Sequence, residues 1–246
     1  MNARALHLGP GGEFDRLRAI FARLGSAGYA LGDDCALVPL WGHTLALSID
    51  LAVEGVHFRT EWLSWPEIGW RATAAALSDL AAAGATPLGV LVSLGLPTRS
   101  AGRATRVATD VMGGVAAAVR AVGAVVLGGD LVRSARALVD VCVLGRVERP
   151  ARPVRRRGAR PGDGVWVTGR LGGPGLALAA LRAGRRPPPA ARRRFAHPVP
   201  RLAAGAWLAR HGARAMIDVS DGLAGDAGHL AAASGVRVEL ALERLP

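Results

Sequence analysis

Residues 74–97 read AAALSDLAAAGATPLGVLVSLGLP, a helix-forming run that breaks at Gly84 and turns into an apolar, strand-like run from Leu88. Extended backwards, PEIGWRATAAALSDLAAAGA over 66–85 is Ala-rich and opens on Pro66, a residue that fits the first helical turn because no N–H is needed there. Extended forwards, LGVLVSLGLP over 88–97 predicts a buried strand. Working outward, TLALSIDLAV over 44–53 predicts a strand before the helix, and residues from about 100 to 122 predict a second long helix after it. AVVLGGD then predicts a short buried strand ending at Asp130, with ALVDVCVLGRV over 137–147 as a further strand beside it. Ahead of all these, GEFDRLRAIFARLG spaces Phe14, Leu17, Ile20, Phe21 and Leu24 as one helical face and delivers the chain to the acidic loop LGDDCALVP. The order strand, helix, strand, helix, strand, strand places the chain in the α/β class, with some α+β character.

The chain has 246 residues, half of them apolar, which suffices for a sizeable core in one large domain or two smaller ones. From Glu148 to Gly162 the prolines Pro150, Pro153 and Pro161 interrupt regular structure amid arginines. The expected division is therefore an N-terminal unit over 1–148, a Pro/Arg-rich linker over 149–163 and a second α/β unit over 164–246. In that second unit, GVWVTG, AMIDVS and VRVELAL predict strands, RRPPPAARRR a loop, and 199–211 and 223–234 helices. No uninterrupted apolar run of membrane-spanning length and no secretory leader is visible, so a cytoplasmic protein without a membrane partner is expected. Cys35 and Cys142 stand apart without metal-type spacing and read as buried thiols.

A net charge of +12 raises the possibility of a basic nucleic-acid-binding protein. Against it, only 4% of residues are aromatic and none interleaves with the arginines of 146–160, so no specific nucleic-acid partner is expected. The second arginine run, which includes Arg192, reads as a solvated face.

All 31 basic residues are Arg, so no carboxylate in the chain can pair with lysine. Asp79 lies in AAALSDLAAAGA with Ala or Leu on nearly every side and no Arg within one helical turn. Burying such a carboxylate unpaired costs several kcal/mol, about 3–5 where a buried pair is broken. Asp50, Asp130 and Asp218 each end an apolar run, at the strand ends where α/β folds place ligands; each taken singly reads first as a cap or turn residue, and it is their repetition that points to a ligand. An all-Asp set without Cys or paired His suits a hard divalent cation, with magnesium first, and a phosphate bound through it. Absence of lysine excludes the P-loop and protein-kinase designs, both of which place a Lys on the phosphates.

Together GEFD at 12–15, GDDCAL at 32–37, SIDLAVEGVHF at 48–58, LSDLAAAGATP at 77–87, GGD at 128–130, RRGARPGD at 156–163 and IDVSDGL at 217–223 resemble the thiamine-monophosphate kinase family. The resemblance runs from residue 12 to the end of the sequence. It implies a two-domain AIR-synthetase-like architecture, a homodimer joined through strands of the first domain, and transfer of the ATP γ-phosphoryl group to thiamine monophosphate, giving thiamine diphosphate. It implies several Mg²⁺ ions held by Asp34, Ser48, Asp50, Asp79, Asp130, Asp218 and Asp221. It further implies ATP contacts at Gly129, Arg156 and Ser220, a substrate contact at His57, and no covalent protein nucleophile. Asp33 is adjacent to this set. Ile49 and Leu131 stand where the family usually has Thr. The family's Gly-Gly-Glu-Asp segment would fall beyond Pro246, so the second unit is expected to be incomplete, with Mg-ATP binding retained and thiamine monophosphate handled poorly. A non-catalytic or other-substrate nucleotide-binding member of the same superfamily is the alternative.

Overall fold

The computed structural model describes residues 12–28, 31–97, 101–148 and 150–244. Helix α1 (Gly12–Leu24) precedes β1 (Ala36–Leu40) and β2 (His43–Val53), a hairpin that leads into α2 (Trp65–Ala82). Then come β3 (Thr86–Leu96), α3 (Ala101–Ala121), β4 (Val125–Arg133) and β5 (Leu138–Val147). The later part of the chain contributes α4 (Gly173–Arg182), α5 (Pro189–Ala196), α6 (Leu202–Arg210) and α7 (Leu223–Ser234). No described helix is long and apolar enough to cross a membrane.

The five strands form one sheet in the order β1-β2-β5-β3-β4, with β3 and β4 parallel and the other neighbours antiparallel. Alternation along each strand sends one set of side chains into the core: Ala46 from β2, Val90, Val92 and Leu94 from β3, and Val139, Val141 and Val143 from β5. Helices α2 and α3 cover that face. They meet backbone to backbone, because a Cβ at Gly69 would run into the Val111 carbonyl and one at Gly114 into the Pro66 carbonyl. On its outer side α2 is covered again: Trp70 Nε1 donates to the Pro198 carbonyl at 2.9 Å, Arg71 reaches the Phe195 carbonyl, and Gly205 of α6 lies against Ala81. A helix sandwiched in this way has to be apolar nearly all round, which is how the sequence of α2 reads.

Several sequence expectations change. The segment read as a buried strand, β4, is exposed along its whole length, because it is the edge strand and pairs on one side only. Strand β5 lies between β2 and β3 instead of beside β4; its antiparallel ladder to both neighbours uses the donors and acceptors on each of its edges. LGDDCALVP is a loop only as far as Cys35, and Ala36–Leu40 pairs with β2. In the later part, GVWVTG, AMIDVS and VRVELAL form no strand ladder among the described residues. Their alternation matches a strand, but a strand exists only where a neighbour supplies the ladder. Part of RRPPPAARRR is helical, since Pro188 and Pro189 sit at the start of α5, where missing N–H groups cost nothing.

The opposite face of the sheet is open and apolar: Ile49 is 64% exposed and Leu51 51%. Leu91 is exposed on the same face.

Candidate metal and nucleotide site

Three carboxylates from distant parts of the chain converge beside α2. Asp34 follows the Gly32 turn into β1, Asp79 lies in the last turn of α2, and Asp218 lies in the irregular segment before α7. Each offers an oxygen, and the three oxygens lie within 4.8 Å of one another. Helix α2 is held at its far end by a capping box in which the Ser64 N–H donates to Glu67 Oε2 at 2.8 Å. The placement of Asp79 is costly for an anion. It sits near the negative end of the helix macrodipole, and no basic residue occupies that last turn.

Neighbouring polar groups complete the site. Ser48 Oγ on β2 donates to Asp79 Oδ2 at 2.5 Å, and the Ser78 hydroxyl hydrogen-bonds to Asp218. Asp50 shares the β2 face of Ser48 and adds its field to both Asp79 and Asp218. Arg156 donates from Nε to Asp34 Oδ1 at 3.0 Å and pairs with the same oxygen through Nη2. Asp33 anchors that arginine's segment, accepting from Arg155 Nη1 at 2.7 Å and from the Arg156 N–H at 3.0 Å. Met216 N–H donates to the Arg155 carbonyl at 3.0 Å, which ties the Asp218 segment to the same stretch.

Electrostatics at this point favour a cation. Burial, reinforced by the charges of Asp218, Asp50 and Asp34, pushes the Asp79 carboxyl up to about 8 despite the bond from Ser48. Burial and the Asp34 charge push Asp218 up to about 6. Asp34 is raised by burial against the opposing pull of Arg156, and Asp50 by burial against that of His57. A cluster that holds protons this tightly is short of positive charge. Carboxylate oxygens flanked by two hydroxyls, with no nitrogen or sulfur atom in the converging trio, fit a hard divalent cation such as Mg²⁺.

His57 follows β2 in a turn where its Nδ1 accepts the Val53 N–H at 3.0 Å, so Nε2 carries the proton of the neutral ring. The structure therefore groups Asp34, Ser48, Asp50, Asp79, Asp218 and Arg156, with His57 close enough to act on Asp50. It does not bring the remaining expected residues into the carboxylate trio. Asp130 pairs with Ser93 in the β3–β4 ladder and so lies on the open face, away from α2, with Gly129 next to it on the exposed edge strand. Ser220 and Asp221 are exposed in the turn before α7.

Three participants had no role in the sequence reading. Ser78 had no local signal beyond its adjacency to Asp79. Arg155 was one arginine in a run, and its pairing with Asp33 is visible only in three dimensions. Asp226 lies in the first turn of α7 and accepts the N–H groups of Ser220 and Gly222 on one oxygen, each at 3.1 Å. Arg192, read as solvated, instead donates from Nη2 to Glu67 Oε2 and to the Trp62 carbonyl, both at 3.0 Å. The reason is that α5 packs its arginine side against the start of α2.

Residues 32–147 match the family model described as AIR synthase related protein, N-terminal domain. The chain is 36% identical over 214 residues to thiamine-monophosphate kinase of Mycobacterium tuberculosis, covering 87% of this chain and 63% of that protein. It is 35% identical over 240 residues to thiamine-monophosphate kinase of Aquifex aeolicus, covering 96% of this chain and 75% of the relative. Among solved structures, AaThiL complexed with AMPPCP and TMP superposes with a TM-score of 0.87 at 33% identity, over 96% of this chain and 74% of that one. The chain thus spans less than two thirds of the length of the Mycobacterium tuberculosis relative.

Proposed function

Because the chain belongs to the thiamine-monophosphate kinase family, we propose that it phosphorylates thiamine monophosphate with ATP. The observation that carries this reading is the convergence of Asp34, Asp79 and Asp218 beside Arg156, an anionic site next to a guanidinium. Such a site suits a nucleotide triphosphate that arrives with its divalent cations. Those cations supply charge neutralisation of the transferring phosphoryl group when bound.

The rest falls to residues of the chain. Asp34, Asp79 and Asp218, with Ser48 and Asp50 beside them, would hold the cations and Asp221 would extend the set, whereas Asp130 on the open sheet face stands apart from it. Arg156, Ser220 and the Gly129 backbone contact ATP phosphates. His57 presents its Nε2–H to the phosphate of the acceptor. An oxygen of thiamine monophosphate forms the new bond to the γ-phosphorus as the bond to the β–γ bridging oxygen breaks. ADP leaves with that electron pair, and thiamine diphosphate is the product. No protein group is consumed, so alignment and charge neutralisation are the whole of the catalysis.

The same reading includes a homodimer. Ile49, Leu51 and Leu91 form an exposed apolar sheet face of the kind that a second copy covers, and Asp130 projects from that face. The division into units over 1–148 and 164–246, joined by 149–163, remains part of the proposal.

The test is formation of thiamine diphosphate by the purified chain from thiamine monophosphate, ATP and Mg²⁺, beside calorimetric titration with Mg-ATP. Product formation that stops on chelation of Mg²⁺ supports the reading. Mg-ATP binding without product would move the assignment to a non-catalytic or other-substrate nucleotide-binding protein. Binding of duplex nucleic acid with a steep salt dependence that Mg-ATP fails to compete away would overturn the reading altogether.

A further inference from the structure

The turn that carries Asp218, Ser220 and Asp221 is built around a carboxylate that is not one of the converging trio. Asp226 is 3% exposed, the least exposed acidic residue among the described residues. Its Oδ2 accepts the N–H groups of Ser220 and Gly222, and the Asp221 N–H adds a further bond to the carboxylate. One side chain thus gathers three successive backbone donors and closes the turn from inside.

This differs from ordinary capping of a helix. The N-cap residue ahead of α7 is Gly222, which has no side chain to cap with and takes φ +117°, a backbone conformation that L-residues rarely adopt. Asp226, four residues into the segment, reaches back beyond the first helical N–H to Ser220, which lies outside α7. The bonds therefore shape the pre-helix turn as well as the helix end. Burial and shape also point to a backing role: with its Oδ2 already accepting those backbone donors, Asp226 is not part of the carboxylate trio. Its charge nevertheless acts on Asp34 and Asp218, making both hold a positive partner more tightly.

We propose that Asp226 is a positioning residue for the cation site, fixing the 218–222 turn from behind so that Asp218, Asp221 and Ser220 face the cations and the nucleotide phosphates. The proposal rests on the metal reading given above. Outer-layer partners of metal ligands typically change metal affinity by about 10–100-fold when removed.

The test uses Mn²⁺ as a spectroscopic substitute for Mg²⁺, titrated into the whole chain and followed by electron paramagnetic resonance. Asp226→Asn, which keeps the shape but loses an acceptor, is expected to weaken Mn²⁺ binding at least tenfold. Amide exchange at Ser220 and Gly222 should quicken in the same variant. Gly222→Ala strains the same turn without altering Asp226 and should give the same pair of effects. Val115→Ala, a core truncation between α2 and α3, should lower stability while leaving Mn²⁺ affinity of the folded chain unchanged. Asp226→Glu, which retains the charge but displaces the carboxylate, should resemble Asp226→Asn; full recovery of affinity would overturn the positioning role in favour of charge alone. Equal Mn²⁺ binding by wild type and Asp226→Asn would overturn the proposal while leaving the metal site standing. A wild-type chain that binds no Mn²⁺ would overturn the metal reading, and the role of Asp226 with it.

Discussion

Raising the pH of the metal-free chain from 6 to 8 should destabilise it, and Asp79 should account for most of the loss. In the folded chain the Asp79 carboxyl keeps its proton up to about 8, against 3.8 for the unperturbed group. The folded state therefore binds more protons than the unfolded state across that window, and stability falls as pH rises through it. Asp218, raised only to about 6, has made its contribution by then, so above that pH the slope belongs to Asp79. One group in this situation costs about 1.4 kcal/mol per pH unit while it stays protonated in the fold, and half that slope at its own pKa, which makes about 2 kcal/mol over the two units. That is a large share of the roughly 5–15 kcal/mol that holds a domain folded.

Urea unfolding in the presence of a chelator at pH 6, 7 and 8 measures the effect. Asp79→Asn stays neutral, keeps the side-chain shape, and should flatten the pH dependence by about 2 kcal/mol over the same range. Mg²⁺ binds the ionised carboxylates, so adding it should stabilise the wild-type chain more at pH 8 than at pH 6. Asp79→Asn should lose that response together with phosphoryl transfer. Parallel pH curves for wild type and variant, or equal Mg²⁺ stabilisation at the two pH values, would refute the account of Asp79 as a desolvated carboxylate awaiting a cation.

Other outcomes follow from the same geometry. Arg156→Ala removes the guanidinium from Asp34 and from the proposed phosphate site, and should weaken Mg-ATP binding by about tenfold or more in calorimetry, in line with about 1.5–3 kcal/mol for a charged hydrogen bond. Arg192→Ala leaves Glu67 and the Trp62 carbonyl without their donor and should lower stability by about 1–2 kcal/mol in urea titration while Mg-ATP affinity stays unchanged. Ile49→Asp places a charge on the open sheet face, and light scattering should then report a monomer in place of the dimer proposed for the wild-type chain. A monomeric wild-type chain would remove the reason for that apolar face to be covered by a second copy.

Much of the scaffold is decided locally. Helix α2 is legible because Ala-rich composition, Pro66 and the Gly84 stop act within a few residues of one another, and the same holds for β2, β3 and α3. The need of Asp79 for a positive partner is legible too, because its apolar neighbours lie within one turn on either side. Position in the sheet is different. The insertion of β5 between β2 and β3, and the exposed edge position of β4, depend on pairing between segments far apart in the chain, and a periodic apolar pattern carries no information about which edge it will meet. The same limit explains GVWVTG, AMIDVS and VRVELAL, whose alternation describes one face of a strand but cannot supply the neighbour that makes it one.

For the site, the sequence alone determined which residue types are present: many aspartates, arginine as the sole basic side chain apart from histidine, and no nitrogen–sulfur ligand set. Which carboxylates meet was decided by tertiary structure. Asp34, Asp79 and Asp218 converge because the loop into β1, the end of α2 and the segment before α7 reach one point, whereas Asp130 has an equally suggestive local motif but sits on the other face of the sheet. Asp226 and Arg192 make the same point from the opposite direction, since each looks ordinary in its own segment and acquires its role from a partner that folding brings within hydrogen-bond reach. Propensity and solvation act over a few residues, while the energy of a charge depends on everything that surrounds it in space.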